Sequence, residues 1–225
     1  MHYVKDTNHL AELCSKLNKS KFLAIDTEFI REKTYWPKLC LIQVFNGEDK
    51  IIIDPLSKEL DLKPFFKILS NNEIVKIFHS GRQDIEIFYN LTKKIPKNIY
   101  DTQIAAMVCG FGDSIGYENL VSQLLGKKID KTSRLTNWSN RPLSKKQINY
   151  AISDVTHLFE IYPLIKDKII NNKRESWFKE EIRILISKKT YDLNPNESWK
   201  RLKYRNLNKN SIGIIIELAK WREIK

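Results

Sequence analysis

The sequence has few cysteines, no long apolar run and no export signal. Its cysteines, Cys14, Cys40 and Cys109, are odd in number and far apart, and none has C-x-x-C spacing. This argues against a disulfide framework and against a zinc site. No apolar run approaches the roughly 20 residues that span a bilayer, and the first residues lack the basic and apolar regions of a signal peptide. We therefore expect a protein of the reducing cytoplasm with no membrane segment.

Positive charge is in excess and is concentrated towards the end of the chain. The 225 residues carry a formal net charge of +12. Residues 166–225 hold 16 Lys and Arg against 8 Asp and Glu, a net of +8, so the first 165 residues carry only +4. This excess suggests a polyanionic partner such as nucleic acid. A composition rich in Lys, Asn and Ile also arises from genomic base composition, so charge alone does not decide the matter.

Hydrophobic periodicity predicts an α/β protein whose mixed sheet is flanked by helices. The expected strands cover 22–28, 39–45, 50–54, 74–78 and 99–100. Asn46-Gly47 predicts a tight hairpin, because these residue types accept positive φ angles. Ser144 and Gln147 form a capping-box signature at the start of a long helix. Pro163 predicts a kink or break in that helix near 159–162, with later helices at 165–170, 175–188 and 211–221.

Two acids stand one residue apart where the first predicted strand ends. Side chains alternate along a strand, so Asp26 and Glu28 face one way and Thr27 faces the other. Burial of such a pair costs several kcal/mol for each uncompensated charge, which predicts cations between them. The alternative is a strand that has reached the surface with both acids solvated, and this stretch taken alone favours that alternative.

Two further acids follow the same logic. Asp84 lies in the first turn of a helix that follows a buried strand and a His-Ser-Gly turn, where the helix dipole favours a carboxylate. Tyr150 and Asp154 stand four apart on a later helix and therefore share a face. Each has a structural alternative: Asp84 can satisfy its helix N-terminus, His79 can be a turn histidine, and Tyr150 can pack over an exposed Asp154.

Taken together, these features are much more specific than any one alone. The chain has Asp-x-Glu at a strand end, Asp at a strand-to-helix turn and Tyr-x-x-x-Asp on a late helix. It resembles the ribonuclease D family of 3′-5′ exoribonucleases, in the tyrosine subclass of the DEDD superfamily, over the stretches 22–29, 39–44, 79–88, 101–106, 138–143 and 150–155. In the histidine subclass a His stands five residues before the last Asp, and here that position is Asn149.

The resemblance implies a ribonuclease H-like fold and a two-metal phosphodiester hydrolase. It implies that Asp26 bridges two Mg²⁺ or Mn²⁺ ions, that Glu28 and Asp154 help hold one, and that Asp84 binds the other largely through water. Oxygen ligands suit these hard cations, and two ions can clamp the attacking and leaving oxygens of phosphoryl transfer. A tyrosine with a reference pKa of about 10 is a poor base at neutral pH, so Tyr150 is expected to orient the attacking water.

The resemblance also implies the substrate and the domain plan. We expect an exonuclease domain at 1–170 and a short, basic helical extension at 171–225. Residues 195–223 resemble only the approach to the family's usual C-terminal helical domains, which we expect to be lacking. The implied partner is a single-stranded RNA 3′ end, of a tRNA precursor or another structured RNA, trimmed to nucleoside 5′-monophosphates. A DNA exonuclease and a noncatalytic RNA-binding module are the alternatives, and the oligomeric state is left open.

Candidate RNA contacts come from basic and aromatic residues near the acids. They are Thr27, His79, Arg134, Trp138 and Arg141. Basic groups interleaved with aromatics suit a single strand, because they combine phosphate attraction with base stacking worth about 1 to 3 kcal/mol per base. Alternatives stay open, since Trp138 and Pro142 could equally brace a loop. The segment with Arg31, Lys33, Tyr35 and Trp36 could likewise contact RNA or place its aromatics in the core.

Overall fold

A mixed sheet of six strands lies at the centre of the first of two compact units in the chain. The computed structural model describes residues 1–130, 132–192, 194–203 and 209–224. The first unit is Met1–Ile186 and the second begins at Ser187. The strands of the first unit are β1 (His2–Val4), β2 (Phe22–Ile30), β3 (Lys38–Phe45), β4 (Lys50–Ile53), β5 (Val75–Phe78) and β6 (Ile99–Asp101).

The strand order across the sheet is β1-β4-β3-β2-β5-β6. Strands β2, β3 and β4 are antiparallel neighbours, whereas β2, β5 and β6 run parallel to one another, and β1 runs parallel to β4. The predicted mixed sheet is therefore confirmed. Strand β1 was not predicted, because three residues are too few to show a period-two pattern.

Helices cover the sheet and supply the rest of the core. They are α1 (Thr7–Leu17), α2 (Lys63–Ser70), α3 (Arg82–Thr92), α4 (Thr102–Val108), α5 (Tyr117–Leu125), α6 (Lys145–Asn171) and α7 (Glu175–Leu185). Helix α6 packs across β2 and β3, and its buried side chains join those of α4 and α5 in one apolar cluster. The longest helix therefore lies over the strand that carries Asp26 and Glu28.

The expected break near Pro163 does not occur, because α6 runs unbroken from Lys145 to Asn171. Proline removes one backbone hydrogen bond and crowds the preceding turn, at a cost of about 3 kcal/mol in a helix interior. Buried side chains lie on both sides of it, among them Leu158, Ile161, Ile165 and Ile169. Each fully buried side chain contributes about 1.5 to 3 kcal/mol, so packing on both sides outweighs the local cost.

The hairpin between β3 and β4 forms at the predicted place. Of the two predicted turn residues, Gly47 alone has a positive φ, +100°. The side-chain oxygen of Asn46 accepts hydrogen bonds from the backbone N–H groups of Glu48 and Asp49. Gly47 also packs against α6: a Cβ at this position would lie 2.9 Å from Cζ of Phe159. The glycine is therefore required both by backbone conformation and by close packing.

The second unit is helical. It contains α8 (Lys188–Tyr191), a 3₁₀ helix (Pro195–Arg201) and α9 (Lys209–Ile224). Arg201 forms an ion pair at 2.6 Å with Glu223, whose side chain is only 3% exposed, and this pair joins the 3₁₀ helix to α9. In the described part of the chain, no helix combines the length and apolar character needed to cross a membrane.

Candidate active site

Strand β2 extends beyond the strand beside it, and this opens a place for its two acids. It pairs with β5 only over 22–24, whereas it pairs with β3 over 24–30. Asp26 and Glu28 therefore lie past the end of the parallel pairing, with β3 along one side only. The strand does not end at the acids as expected but continues to Ile30 after an irregularity at Glu28/Phe29.

Three carboxylates converge in this opening. One oxygen each from Asp26, Glu28 and Asp154 lie within 4.8 Å of one another. Asp154 comes from the middle of α6, and its Oδ1 atom is buried with no hydrogen-bond partner in the described part of the chain. Carboxylates at this spacing match the oxygen ligands that hard divalent cations prefer.

Asp84 reaches the same cleft from the start of α3. It is buried in the first turn of α3, and its Oδ1 atom accepts a hydrogen bond of 2.5 Å from the hydroxyl of Thr27. Thr27 is therefore turned away from its two acidic neighbours, as strand alternation predicts, and towards the fourth acid. Asp84 does not belong to the group of three carboxylates whose oxygens lie within 4.8 Å of one another.

The turn before α3 is held by Asp101. This buried carboxylate accepts hydrogen bonds from the backbone N–H groups of Ser80 (3.2 Å) and Gly81 (2.7 Å) and also caps α4. Ser80 adopts a positive φ of 56°, and a Cβ on Gly81 would lie 2.6 Å from Cβ of Phe78. The turn is thereby fixed so that Asp84 in the following helix faces β2.

A cleft of about 440 Å³ surrounds these groups. Asp26, Asp84, Tyr150 and Asp154 line it, together with Thr27, His79, Arg134 and Tyr117. Tyr150 and Asp154 project from one face of α6, as their spacing predicts. The structure therefore brings all five predicted catalytic residues to one place, since Glu28 joins through its approach to Asp26 and Asp154.

Burial and mutual repulsion act strongly on the acids of β2. Burial raises the pKa of Asp26 well above its usual range, and the charges of Asp84 and Asp154 raise it further. Burial likewise raises the pKa of Glu28, followed by repulsion from the other acids, while the positive charge of Arg134 lowers it. The ionised forms are therefore disfavoured unless cations compensate them.

The pKa values of the two acids on the helices, Asp84 and Asp154, are raised less than that of Glu28. Burial raises the pKa of Asp84 to about 6, and the Thr27 hydrogen bond partly offsets this effect. Burial raises the pKa of Asp154 to about 7, with an opposing contribution from the Tyr150 phenol. Burial raises the pKa of Tyr150 far above its usual range, and the charge of Asp154 adds to this. Tyr150 is therefore protonated at neutral pH.

The predicted RNA contacts fall into two groups. Arg134 is exposed and lines the cleft, and His79 lines it with its Nδ1 atom 3.0 Å from the hydroxyl of Thr102. Trp138, by contrast, is 2% exposed. Arg141 directs its guanidinium at Asp54 and at backbone carbonyls. For Trp138 this favours the alternative in which it braces a loop, and the side chain of Arg141 is engaged in contacts within the protein.

The segment at 31–37 lies apart from the lining of the cleft. Arg31 donates to the backbone carbonyl of Tyr35 at 3.0 Å and to Glu86 at 3.2 Å. The rings of Tyr35 and Trp36 pack edge to face with centroids 5.0 Å apart. Arg31 thereby links this segment to α3, and both aromatics are half-buried.

Tyr117 was missed by sequence reasoning. It begins α5, its hydroxyl donates a hydrogen bond to the backbone carbonyl of Asp154, and its ring lies 5.1 Å from that of His79. An aromatic residue after a glycine carries no signal of such a contact. Its effect is to tie α5 to α6 at the level of the acids.

Comparisons with known proteins agree with this geometry. Residues 1–170 match the model of a family described as 3′-5′ exonuclease. Ribonuclease D of Bartonella henselae is 47% identical over 225 residues, all of this chain and 55% of that protein. Ribonuclease D of Zymomonas mobilis is 45% identical over 223 residues, 99% of this chain and 57% of that protein. The chain thus spans little more than half the length of these relatives.

Solved structures show the same fold. The crystal structure of Escherichia coli RNase D, described as an exoribonuclease involved in structured RNA processing, matches with a TM-score of 0.89 and 31% identity, over 99% of this chain and 59% of that one. Brucella melitensis NrnC with bound Mg²⁺ matches with a TM-score of 0.71 and 22% identity, over 92% of this chain and 98% of that one. The predicted resemblance to ribonuclease D is confirmed, and the chain belongs to the 3′-5′ exonuclease family.

Proposed function

We propose that this protein is a metal-dependent 3′-5′ exoribonuclease that releases nucleoside 5′-monophosphates. The observation that carries the proposal is the convergence of Asp26, Glu28 and Asp154 within 4.8 Å, in a cleft that also receives Asp84 and Tyr150. The similarity to proteins named ribonuclease D supports RNA as the substrate.

The donor set fits two Mg²⁺ or Mn²⁺ ions. Burial suppresses the ionisation of all four carboxylates, and repulsion from neighbouring acids adds to this effect for Asp26, Glu28 and Asp84. Bound cations would offset this penalty, and carboxylates offer the hard oxygen ligands that such cations prefer. Asp26, Glu28 and Asp154 would hold the metal together with Asp84. When bound, such a pair of ions lowers the pKa of a water molecule and stabilises a leaving 3′ oxygen.

Tyr150 orients the attacking water in this proposal. Its raised pKa keeps the phenol protonated, so it acts as a hydrogen-bonding group and not as a general base. Its position one helical turn before Asp154 places the hydroxyl on the same side of α6 as that carboxylate.

The substrate we propose is the single-stranded 3′ end of an RNA, such as a tRNA precursor or another structured RNA. The exposed guanidinium of Arg134 in the cleft suits a phosphate, and Thr27 and His79 line the same cavity. We assign this activity to residues 1–170 and regard 171–225 as a basic helical extension. The three free thiols suit the cytoplasm, which we propose as its location.

Digestion of matched oligonucleotides tests the proposal. RNA and DNA of one sequence, labelled at either end, are incubated with Mg²⁺ or Mn²⁺ and then with a chelator. We expect 5′-labelled RNA to shorten progressively and 3′-labelled RNA to release labelled mononucleotide first. The chelator should abolish both, and DNA should react more slowly. Asp84→Asn should be inactive, while Asp113→Asn, an exposed acid outside the cleft lining, should react normally.

Other outcomes point to the alternatives. Faster digestion of DNA would contradict the RNA assignment and favour a DNA exonuclease. RNA binding without hydrolysis in either metal would favour a noncatalytic module. Internal cleavage, or activity that persists in the chelator, would contradict the proposed mechanism.

A further inference from the structure

We propose that Trp138 is a positioning residue, which fixes the ring of Tyr150 in the cleft and is itself held by the Arg141–Asp54 ion pair. The inference rests on the proposed function, because it concerns the residue that orients the attacking water. It gives Trp138 and Arg141 a part in the reaction that does not require either to contact RNA.

The contact between Trp138 and Tyr150 is the first step. Their ring centroids are 6.1 Å apart, with an interplanar angle of 38°, which is within the range of favourable aromatic pairs. Trp138 is 2% exposed, whereas Tyr150 is half-buried and lines the cleft. The indole therefore contacts the phenol ring from the buried interior, whereas the phenol itself reaches the cleft.

Trp138 is packed on its other sides as well. It belongs to a buried apolar cluster with Leu143, Ala151 and Ile152. Its indole N–H has no hydrogen-bond partner in the described part of the chain, so hydrogen bonding does not explain why tryptophan is placed here. What the indole supplies is a large rigid surface against Tyr150.

Arg141 fixes the segment that carries the indole. Its guanidinium makes two hydrogen bonds of 2.7 Å to the carboxylate of Asp54. It also donates to the backbone carbonyl of Trp138 at 2.8 Å and to that of Cys40 at 2.6 Å. A bidentate guanidinium–carboxylate pair has a defined geometry as well as a favourable energy. Asp54 is only 4% exposed and accepts a further hydrogen bond from Tyr3, so the anchor is itself held in place.

A second link joins the same segment to α6. Gln147 donates from Nε2 to the hydroxyl of Thr136 at 3.1 Å, and the same glutamine closes the capping box with Ser144. Gln147 stands one turn before Tyr150. The segment that carries Trp138 is therefore tied both to the sheet and to the first turn of the helix that carries the phenol.

Stacking of an RNA base on Trp138 is the competing interpretation. At 2% exposure the indole offers no free face to a base, and exposing it would require breaking the bonds of Arg141. The two interpretations differ in a measurable way: a positioning residue acts on kcat through Tyr150, whereas a base contact acts on RNA binding whether or not the phenol is present.

A double-mutant cycle separates them. Trp138→Leu and Trp138→Phe are each made alone and together with Tyr150→Phe, and single-turnover rates and RNA Kd are measured. In the wild-type background we expect Trp138→Leu to lower the single-turnover rate about 10-fold. In the Tyr150→Phe background the same substitution should lower it less than about 2-fold, because the effects of coupled residues are not additive. Trp138→Phe keeps a ring and should lose only about 3-fold in the single protein. RNA Kd and Mn²⁺ affinity should stay unchanged.

Phe65→Leu is the matched control, since Phe65 is a fully buried aromatic in α2. Phe65→Leu should lower thermal stability but leave the single-turnover rate unchanged in both the wild-type and the Tyr150→Phe background. Equal rate losses in the two Trp138→Leu proteins, or an unchanged rate in the single protein, would overturn the proposal, as would a loss confined to RNA Kd. If Trp138→Leu fails to fold, Trp138→Phe decides by the same criterion of coupling.

A readout without substrate keeps this inference separate from the proposed function. In protein labelled with ¹³C at tyrosine Cζ, the signal absent from Tyr150→Phe is that of Tyr150. It should shift or broaden in Trp138→Leu and not in Phe65→Leu. An unchanged signal would overturn the positioning role even in an active enzyme. A shifted signal in Trp138→Leu, together with a wild-type protein that digests no RNA, would contradict only the proposed function.

Discussion

Thr27 donates its hydroxyl to the carboxylate of Asp84 across 2.5 Å. This bond joins the strand that carries Asp26 and Glu28 to the first turn of α3. Because Thr27 faces away from its acidic neighbours, one short segment of β2 serves both sides of the cleft. It supplies two carboxylates on one side and orients a third from the other.

Loss of that bond should move the pH dependence of activity. The hydrogen bond from Thr27 lowers the pKa of Asp84, which burial raises to about 6. Thr27→Val keeps the shape but removes the donor, so the pKa of Asp84 should rise. The acidic limb of the kcat/KM profile should then shift to higher pH, and Thr27→Ser should retain the wild-type profile. Superimposable profiles for Thr27→Val and wild type would show that this bond does not tune Asp84.

Substitutions of Asp26 and Tyr150 should have different effects on metal binding and on the rate of hydrolysis. Asp26→Ala removes a carboxylate that is proposed to hold the metal, so Mn²⁺ binding and activity should both be lost. Tyr150→Phe removes only the hydroxyl that is proposed to orient the attacking water, and it should lower kcat by at least about 10²-fold, a loss typical of misplaced reactants. Isothermal titration with Mn²⁺ should give Tyr150→Phe the wild-type affinity. Normal turnover by Tyr150→Phe would refute the role assigned to the phenol.

The crowded acids should make the metal-free protein less stable as the pH rises. The pKa values of Asp84 and Asp154 are raised to about 6 and about 7, against about 3.9 in an unfolded chain. The folded state therefore binds more protons than the unfolded state between these limits, and its stability falls as pH rises through about 4 to 7.

The substitution Asp154→Asn tests whether the stability of the metal-free protein falls as the pH rises. In a chelator at about pH 8 the substitution should stabilise the protein by about 1 to 2 kcal/mol, and near pH 5 the gain should shrink. With saturating Mg²⁺ the order should reverse, because wild type gains binding energy that the variant lacks. Thermal denaturation with and without metal measures both effects. A wild-type protein more stable than the variant in chelator at about pH 8 would contradict the destabilisation expected from burial of the ionised Asp154.

Arg134 should contribute to substrate binding more than to chemistry. Its exposed side chain lines the cleft, so Arg134→Ala should raise KM about 10-fold and change kcat less. The slope of log affinity against log salt should fall by about 0.7 for each lost phosphate contact on a single strand. Lys19→Ala, an exposed cation on the segment after α1, should change neither quantity. An unchanged salt slope for Arg134→Ala would exclude a phosphate contact.

Local signals in the sequence were sufficient for most of the elements. The apolar run before Asp26, the Asn46-Gly47 turn and the capping box at Ser144 each depend on residues within a few positions of one another, and each is confirmed. Strand β1 and the unbroken course of α6 through Pro163 depend instead on distant partners. Strand β1 forms because it pairs with β4. Helix α6 continues through Pro163 because side chains pack on both sides of the proline.

In the site, too, local sequence predicts some features, whereas others depend on distant partners. Spacing alone indicates that Asp26 and Glu28 share a face and that Tyr150 and Asp154 share another. It does not indicate that β5 ends early beside β2, which is what opens the cleft. The pairing of Arg141 with Asp54 joins residues 87 positions apart, and neither residue type at its position signals the other. The bracing role favoured for Trp138 depends on this contact.

The most direct test is to locate manganese in crystals by anomalous scattering. At saturating Mn²⁺ we expect two peaks in the cleft about 3.5 to 4 Å apart, one of them bounded by Asp26, Glu28 and Asp154. The peaks should disappear from Asp26→Ala crystals prepared in the same way. A cleft without manganese in the wild-type protein, or manganese bound only away from these carboxylates, would contradict the account.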